Sequence, residues 1–254
     1  MKINTSSIGI PIFPDILLKK IQHMITREAR INAVFMFYLR SFIQPLRLYF
    51  NYTIKYNKKS NFNNQGDRNM QISFIRHGKT IGNLSQKYIG ITDEPLCAEG
   101  ISQINKKNYP DCDIVICSPM KRCIQTAEII YPDKKIIVYD NLKECCFGTF
   151  EGKNYMELSG NPDYQKWIDS NGKLPFPNGE NPENFKKRCI EAFEKAIAEN
   201  SEYDMISFVV HGGTIMSVFE KYAVPHGDFY DFHVENASGF ITEYNGYIKI
   251  KENI

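Results

Sequence analysis

From residue 70 onward, short apolar runs alternate with longer stretches in which apolar residues recur every three or four positions. Ile72-Ser73-Phe74-Ile75, the runs at 113–117 and 135–139, and Met205-Ile206-Ser207-Phe208-Val209-Val210 each have the length of one buried strand. The intervening patterns predict helices at 98–107, from Ser118 to about residue 130, from Asn181 onward, and at 214–222. Ser118-Pro119 and Asn181-Pro182 each set a capping side chain before a first-turn proline. After Asn181, residues Phe185, Cys189, Phe193 and Ala196 share one helical face, a spacing suited to packing on a sheet. Near the end, Asn245-Gly246 separates two strand-like segments and predicts a two-residue hairpin. No internal repeat is visible. The alternation predicts an α/β fold: a three-layer α/β/α sandwich with a mostly parallel central sheet and an antiparallel C-terminal hairpin.

The first 69 residues read differently. They carry 11 Lys and Arg against 3 Asp and Glu, whereas the remainder carries 20 against 26, so the net charge of +2 conceals two segments of opposite sign. The expected organisation is therefore a basic N-terminal extension, 1–69, ahead of a catalytic domain, 70–254. The apolar run at 31–39 falls short of the ~20 residues a spanning helix needs. Three readings of the extension stand: a polar linker, a segment lying on an anionic surface, or upstream translation ahead of a start at Met70. Any membrane contact would run through it alone. All seven cysteines fall in the acidic part, with no Cys-x-x-Cys pair. This predicts reduced, mostly buried thiols in a cytoplasmic protein, and it applies to the adjacent Cys145-Cys146 as well.

The candidate chemistry sits where strands end. The first strand runs into Arg76-His77-Gly78, and the second into Ser118-Pro119 followed by Lys121 and Arg122. The strand at 205–210 runs into His211-Gly212-Gly213-Thr214. Parallel strands share a carboxyl edge, which is where open α/β sheets bind ligands. Helix starts at that edge offer unpaired N–H groups and a positive dipole end. Cations gathered there repel unless an anion sits among them. The bland alternative is a structural ion-pair network.

These blocks, in this order, resemble the histidine phosphatase superfamily over roughly residues 70–251. The resemblance is carried by Arg76-His77-Gly78-Lys79-Thr80 with Asn83, and by Cys117-Ser118-Pro119-Met120-Lys121-Arg122 with Thr126-Ala127. Leu142-Lys143-Glu144 through Phe147-Gly148 to Glu151-Gly152, and Val210-His211-Gly212-Gly213, complete it. Within the superfamily, Tyr88-Ile89-Gly90-Ile91-Thr92-Asp93-Glu94-Pro95-Leu96 resembles alpha-ribazole phosphatases of cobalamin assembly. The resemblance implies that His77 takes the phosphoryl group and that Arg76, Arg122 and His211 hold its oxygens. Asn83, Thr80 and the Gly212 N–H are implied on the substrate side, and Glu144 as the proton donor to the leaving group. Asp93 and Glu151 compete with Glu144 for that last role. No cofactor is implied, and no cluster of residues has metal-ligand spacing.

The expected function is a metal-independent phosphomonoesterase acting through phosphohistidine on a small phosphorylated metabolite, alpha-ribazole phosphate being the candidate by similarity. The competing classes are a cofactor-dependent phosphoglycerate mutase and a phospho-ligand binding protein without turnover. Such mutases tend to carry extra basic residues just after the position of Glu144, where this chain has Cys145-Cys146-Phe147. Nucleic acid is not an expected partner, because the globular part is net acidic and has no basic stripe. A homodimer is compatible with the sequence. The residues at 155–178 are expected to carry substrate specificity without naming a substrate; for Trp167, covering the site and packing in the core are equally compatible with the sequence.

Overall fold

The structure is a computed structural model that describes residues 69–254. The expectations for the basic N-terminal segment lie outside the described residues. The elements are β1 (Met70–Arg76), α1 (Ile81–Leu84), α2 (Ala98–Asn105), β2 (Ile114–Cys117), α3 (Lys121–Ile130), β3 (Lys135–Val138), α4 (Pro162–Asp169), α5 (Pro182–Glu199), β4 (Met205–Val210), α6 (Gly212–Tyr222), β5 (Gly239–Tyr244) and β6 (Ile248–Asn253). The strands form one six-stranded sheet in the order β3-β2-β4-β1-β5-β6. Strands β1, β2, β3 and β4 pair in parallel, and β5 and β6 add an antiparallel hairpin at one side.

Alternation along each strand builds two cores. Ile72 and Phe74 of β1, Ile114 and Ile116 of β2, and Ile206, Phe208 and Val210 of β4 face α5 and α6, where Phe193 and Phe219 meet them. Ile75, Val115, Cys117 and Val209 point the other way, onto Cys123 and Ala127 of α3. The sheet is thus covered on both faces, as the continuous apolar runs require. Phe74 is the hub of the larger core, with its ring 5.2 Å from Phe208, 4.9 Å from Phe219 and 5.8 Å from Phe193. All seven cysteines are free, and six of them are buried.

Three local expectations are corrected. Ser118 does not cap α3: the N-cap is Met120, which has no side-chain capping bond, and the Lys121 N–H instead donates to Asp93 Oδ1 at 2.7 Å. Helix α6 begins at Gly212, two residues early, because His211 is already the N-cap. The hairpin pairs Tyr244 with Ile248, so its loop has three residues, with Gly246 in the left-handed region at φ 93°. Asn181 caps α5 as expected, its Oδ1 accepting from Glu183 and Asn184.

The packing predicts a sharp contrast. Phe74→Ala, at a site 1% exposed, should cost about 3–5 kcal/mol in urea unfolding. Ile81→Ala, at a site 64% exposed, should change stability by less than about 0.5 kcal/mol. Similar losses for the two variants would contradict the core described here.

Candidate active site

Strand register brings the site together. Arg76 lies opposite Val210 and Cys117 opposite Val209, so the residues that follow β1, β4 and β2 emerge side by side. The His77 N–H donates to Val210 O at 3.0 Å and the Ser118 N–H to Val209 O at 3.2 Å. In consequence the His77 and His211 rings sit 5.2 Å apart at 67°, in edge contact. Both are buried, His77 being 4% and His211 0% exposed.

The hydrogen bonds of each ring define what it offers. His77 Nδ1 lies 2.7 Å from Gly78 O. A carbonyl only accepts, so Nδ1 carries the proton and Nε2 keeps its lone pair. His211 Nε2 lies 2.7 Å from Ser118 Oγ, which itself accepts the Met120 N–H at 3.4 Å. The Ser118 hydroxyl thus holds the His211 ring through Nε2. Burial, then Arg122, then Arg76 hold His77 well below the ordinary imidazole range, and the Gly78 hydrogen bond only partly opposes them. His211 is held low by burial first and then by Arg122 and His77. Both rings are therefore neutral near pH 7.

Two guanidinium groups complete the anion pocket. Arg122 is fully buried; its Nη1 donates to Thr92 O and its Nη2 to Gly90 O, each at 2.8 Å. Glu151 holds the same loop from the other side, its Oε1 accepting the Gly90 N–H at 2.7 Å and the Thr92 N–H at 3.0 Å. Gly90 is required there, because a Cβ would come within 1.8 Å of Cys145 O. Arg76 donates from Nη1 to Val234 O at 2.8 Å. The Nε atoms of both arginines are buried and have no acceptor among the described residues. An unpaired buried donor on a cation is costly, and an oxyanion is the partner that satisfies it. Burial lowers the Arg76 ionisation below its ordinary value, Glu144 and Glu235 oppose this, and Arg122 adds to it.

Glu144 reaches the start of α6. Its Oε2 accepts the Gly213 N–H at 3.3 Å and its Oε1 the Cys145 N–H at 2.9 Å. A Cβ on Gly213 would lie 2.5 Å from that carboxylate, so glycine permits the approach. The rival carboxylates are committed elsewhere: Asp93 to the start of α3 and Glu151 to the 90–92 loop. Thr80 is the N-cap of α1, its hydroxyl bonded to Asn83, which is the role of a cap. Asn83 Oδ1 is engaged by the Thr80 N–H, the Thr80 hydroxyl and Asn236 Nδ2, which leaves its own Nδ2 as the donor end. Gly212 packs against the Arg76 guanidinium with room for ordinary contact.

Sequence reasoning missed several supports. Asn236 Nδ2 donates to both His77 O and Asn83 Oδ1, and the Ala237 N–H to Arg76 O and His77 O, so Asn236 and Ala237 fasten the backbone of His77. No local signal marks Asn236 in a polar loop. Ser118 acts as the partner of His211, a role its position before a helix disguised. Burial, then Arg76, hold His233 below the ordinary imidazole range. Trp167 packs in an aromatic cluster with Tyr88, Phe150, Tyr164 and Phe176.

Comparison with known proteins agrees with this geometry. The profile of the histidine phosphatase superfamily (branch 1) matches residues 72–250. An adenosylcobalamin/alpha-ribazole phosphatase of Escherichia coli (strain K12) is 29% identical over 154 residues, covering 58% of this chain and 75% of that protein. Among solved structures, a phosphoserine phosphatase variant from Entamoeba histolytica in complex with phosphoserine is 27% identical. It superposes with a TM-score of 0.61, over 72% of this chain and 95% of that one. The fold of the alpha-ribazole phosphatase from Shigella flexneri matches with a TM-score of 0.63 at 24% identity, over 72% of this chain and 95% of that one. With the profile spanning most of the chain and the strand-end residues gathered as described, this protein belongs to the histidine phosphatase superfamily.

Proposed function

We propose that the chain is a phosphomonoesterase that passes the phosphoryl group of a small phosphorylated metabolite through His77 and needs no metal ion. One observation carries the reading: a neutral imidazole with its Nδ1 locked on Gly78 O stands beside two arginines whose buried Nε donors lack acceptors among the described residues. In the first step the His77 Nε2 lone pair forms the P–N bond as the ester P–O bond breaks, and the leaving alkoxide takes a proton from the Glu144 carboxyl. In the second, water attacks phosphorus, the Glu144 carboxylate takes its proton, and the P–N electrons return to Nε2. Such a two-step displacement asks the protein mainly for alignment and charge stabilisation, which guanidinium groups supply. Arg76, Arg122, His211, Asn83 and the Gly212 N–H are the proposed holders of the non-bridging oxygens.

Alpha-ribazole phosphate and phosphoserine are the substrates that the names of the relatives put forward. The aromatic cluster around Trp167 is the place where this choice would be made. Cys145-Cys146 following Glu144 argues against a bisphosphorylated substrate, for lack of added positive charge.

Two outcomes are expected. Aryl phosphate hydrolysis should continue in EDTA and vanish in His77→Ala, and Arg122→Ala should lose on the order of 10²–10³ in kcat/KM. Turnover surviving His77→Ala would end the proposal. The imidazole ionisations give the second. The folded rings have lowered proton affinity, so the unfolded chain takes up protons first as pH falls below about 6.5, and stability drops there. Urea unfolding in phosphate-free buffer should show His77→Asn with a weaker dependence on pH between about 7.5 and 5.5 than the unaltered protein. An unchanged dependence would contradict a buried neutral His77.

A further inference from the structure

Glu144 stands in a segment without regular structure, between a short 3-10 turn at Asp140–Leu142 and another at Gly148–Phe150. A side chain that delivers a proton must hold its position to a fraction of an ångström, so something outside the segment has to fix it. One group does so. Arg188 of α5 donates from Nη1 to Asn141 O at 2.9 Å and Lys143 O at 2.6 Å, and from Nη2 to Glu144 O at 3.0 Å. Its remaining donors form a fork on Glu180, Nε to Oε1 at 2.7 Å and Nη2 to Oε2 at 2.8 Å. All five N–H groups of the guanidinium are thereby used.

The two peptide units that flank the Glu144 Cα, through Lys143 O and Glu144 O, are gripped by the same planar cation. Fixing both planes fixes the direction of the Cα–Cβ bond between them. Glu180 extends the grip to the next residue, its Oε2 accepting the Cys146 N–H at 3.3 Å and its own N–H donating to Cys146 O at 2.8 Å. We propose that Arg188, braced by Glu180, is the positioning residue that aims the Glu144 carboxyl at the leaving group. This rests on the reading of Glu144 as the proton donor. A lysine has three donors on a point charge and cannot hold three carbonyls and a carboxylate in this planar arrangement.

The test uses the full chain and a series of aryl phosphates from 2,4-dinitrophenyl to phenyl, read as kcat/KM, which reports steps through loss of the leaving group. A poor leaving group needs the proton and a good one does not. Arg188→Lys should lose about 10²-fold on phenyl phosphate and less than about threefold on 2,4-dinitrophenyl phosphate. Glu180→Gln should tilt the series the same way. Equal losses along the series, no loss, or failure of both variants to fold would assign the pair to the fold alone and overturn the proposal. Glu144→Gln separates the two ideas. If it does not tilt the series, Glu144 is not the donor and the underlying reading fails. If it tilts the series and Arg188→Lys does not, only the positioning role falls.

Discussion

Two neighbouring arginine side chains, each with a buried Nε–H that finds no acceptor among the described residues, set the terms for the rest of the structure. Like charges in a medium of low dielectric repel strongly, and a buried donor without an acceptor costs more than one left in water. The fold bears that cost by tying the outer nitrogens of each guanidinium to backbone carbonyls, Gly90 and Thr92 for Arg122 and Val234 for Arg76. Burial first, and then the charges of Arg122 and Arg76, keep His77 unprotonated, so the ring does not add a third cation. Desolvation and the two cations thus act on the His77 imidazole in the same direction.

The supports form concentric layers around that pair. Glu151 holds the loop that holds Arg122, and Asp93 caps the helix that carries it. Asn236 and Ala237 hold the backbone of His77, and Ser118 holds the ring of His211. All but the Ser118–His211 contact use a backbone amide or carbonyl as partner, so small shifts in one loop are passed to a charged group and not absorbed by flexible side chains. A site built at the ends of parallel strands has this advantage: the register of β1 against β4 already sets His77 beside His211.

Much of this was legible in the residues, and the limits have physical reasons. The strands could be read because burial on both faces leaves unbroken apolar runs such as Ile72 to Ile75. Their shared carboxyl edge follows from parallel pairing, so Arg76, His77, Arg122 and His211 could be brought together without coordinates. Glu144 could not, since a residue in an irregular segment has no period to place it, and only the family motif singled it out. Ser118 was misread because serine before proline looks like a helix start, whereas the cap came from Asp93, 28 residues before Lys121 in sequence. No local signal marks Arg188 or Glu180, because their contacts are to three carbonyls from a loop some 45 residues away in the chain. The Asn245-Gly246 signal found the hairpin but not its length, because Tyr247 stays in the loop.

The most direct measurement is a crystal structure with tungstate or vanadate bound. The expected result is one oxyanion with its central atom in line with His77 Nε2 and its oxygens within hydrogen-bonding distance of the Nε atoms of both Arg76 and Arg122. An oxyanion bound elsewhere, or one touching neither Nε, would contradict the site.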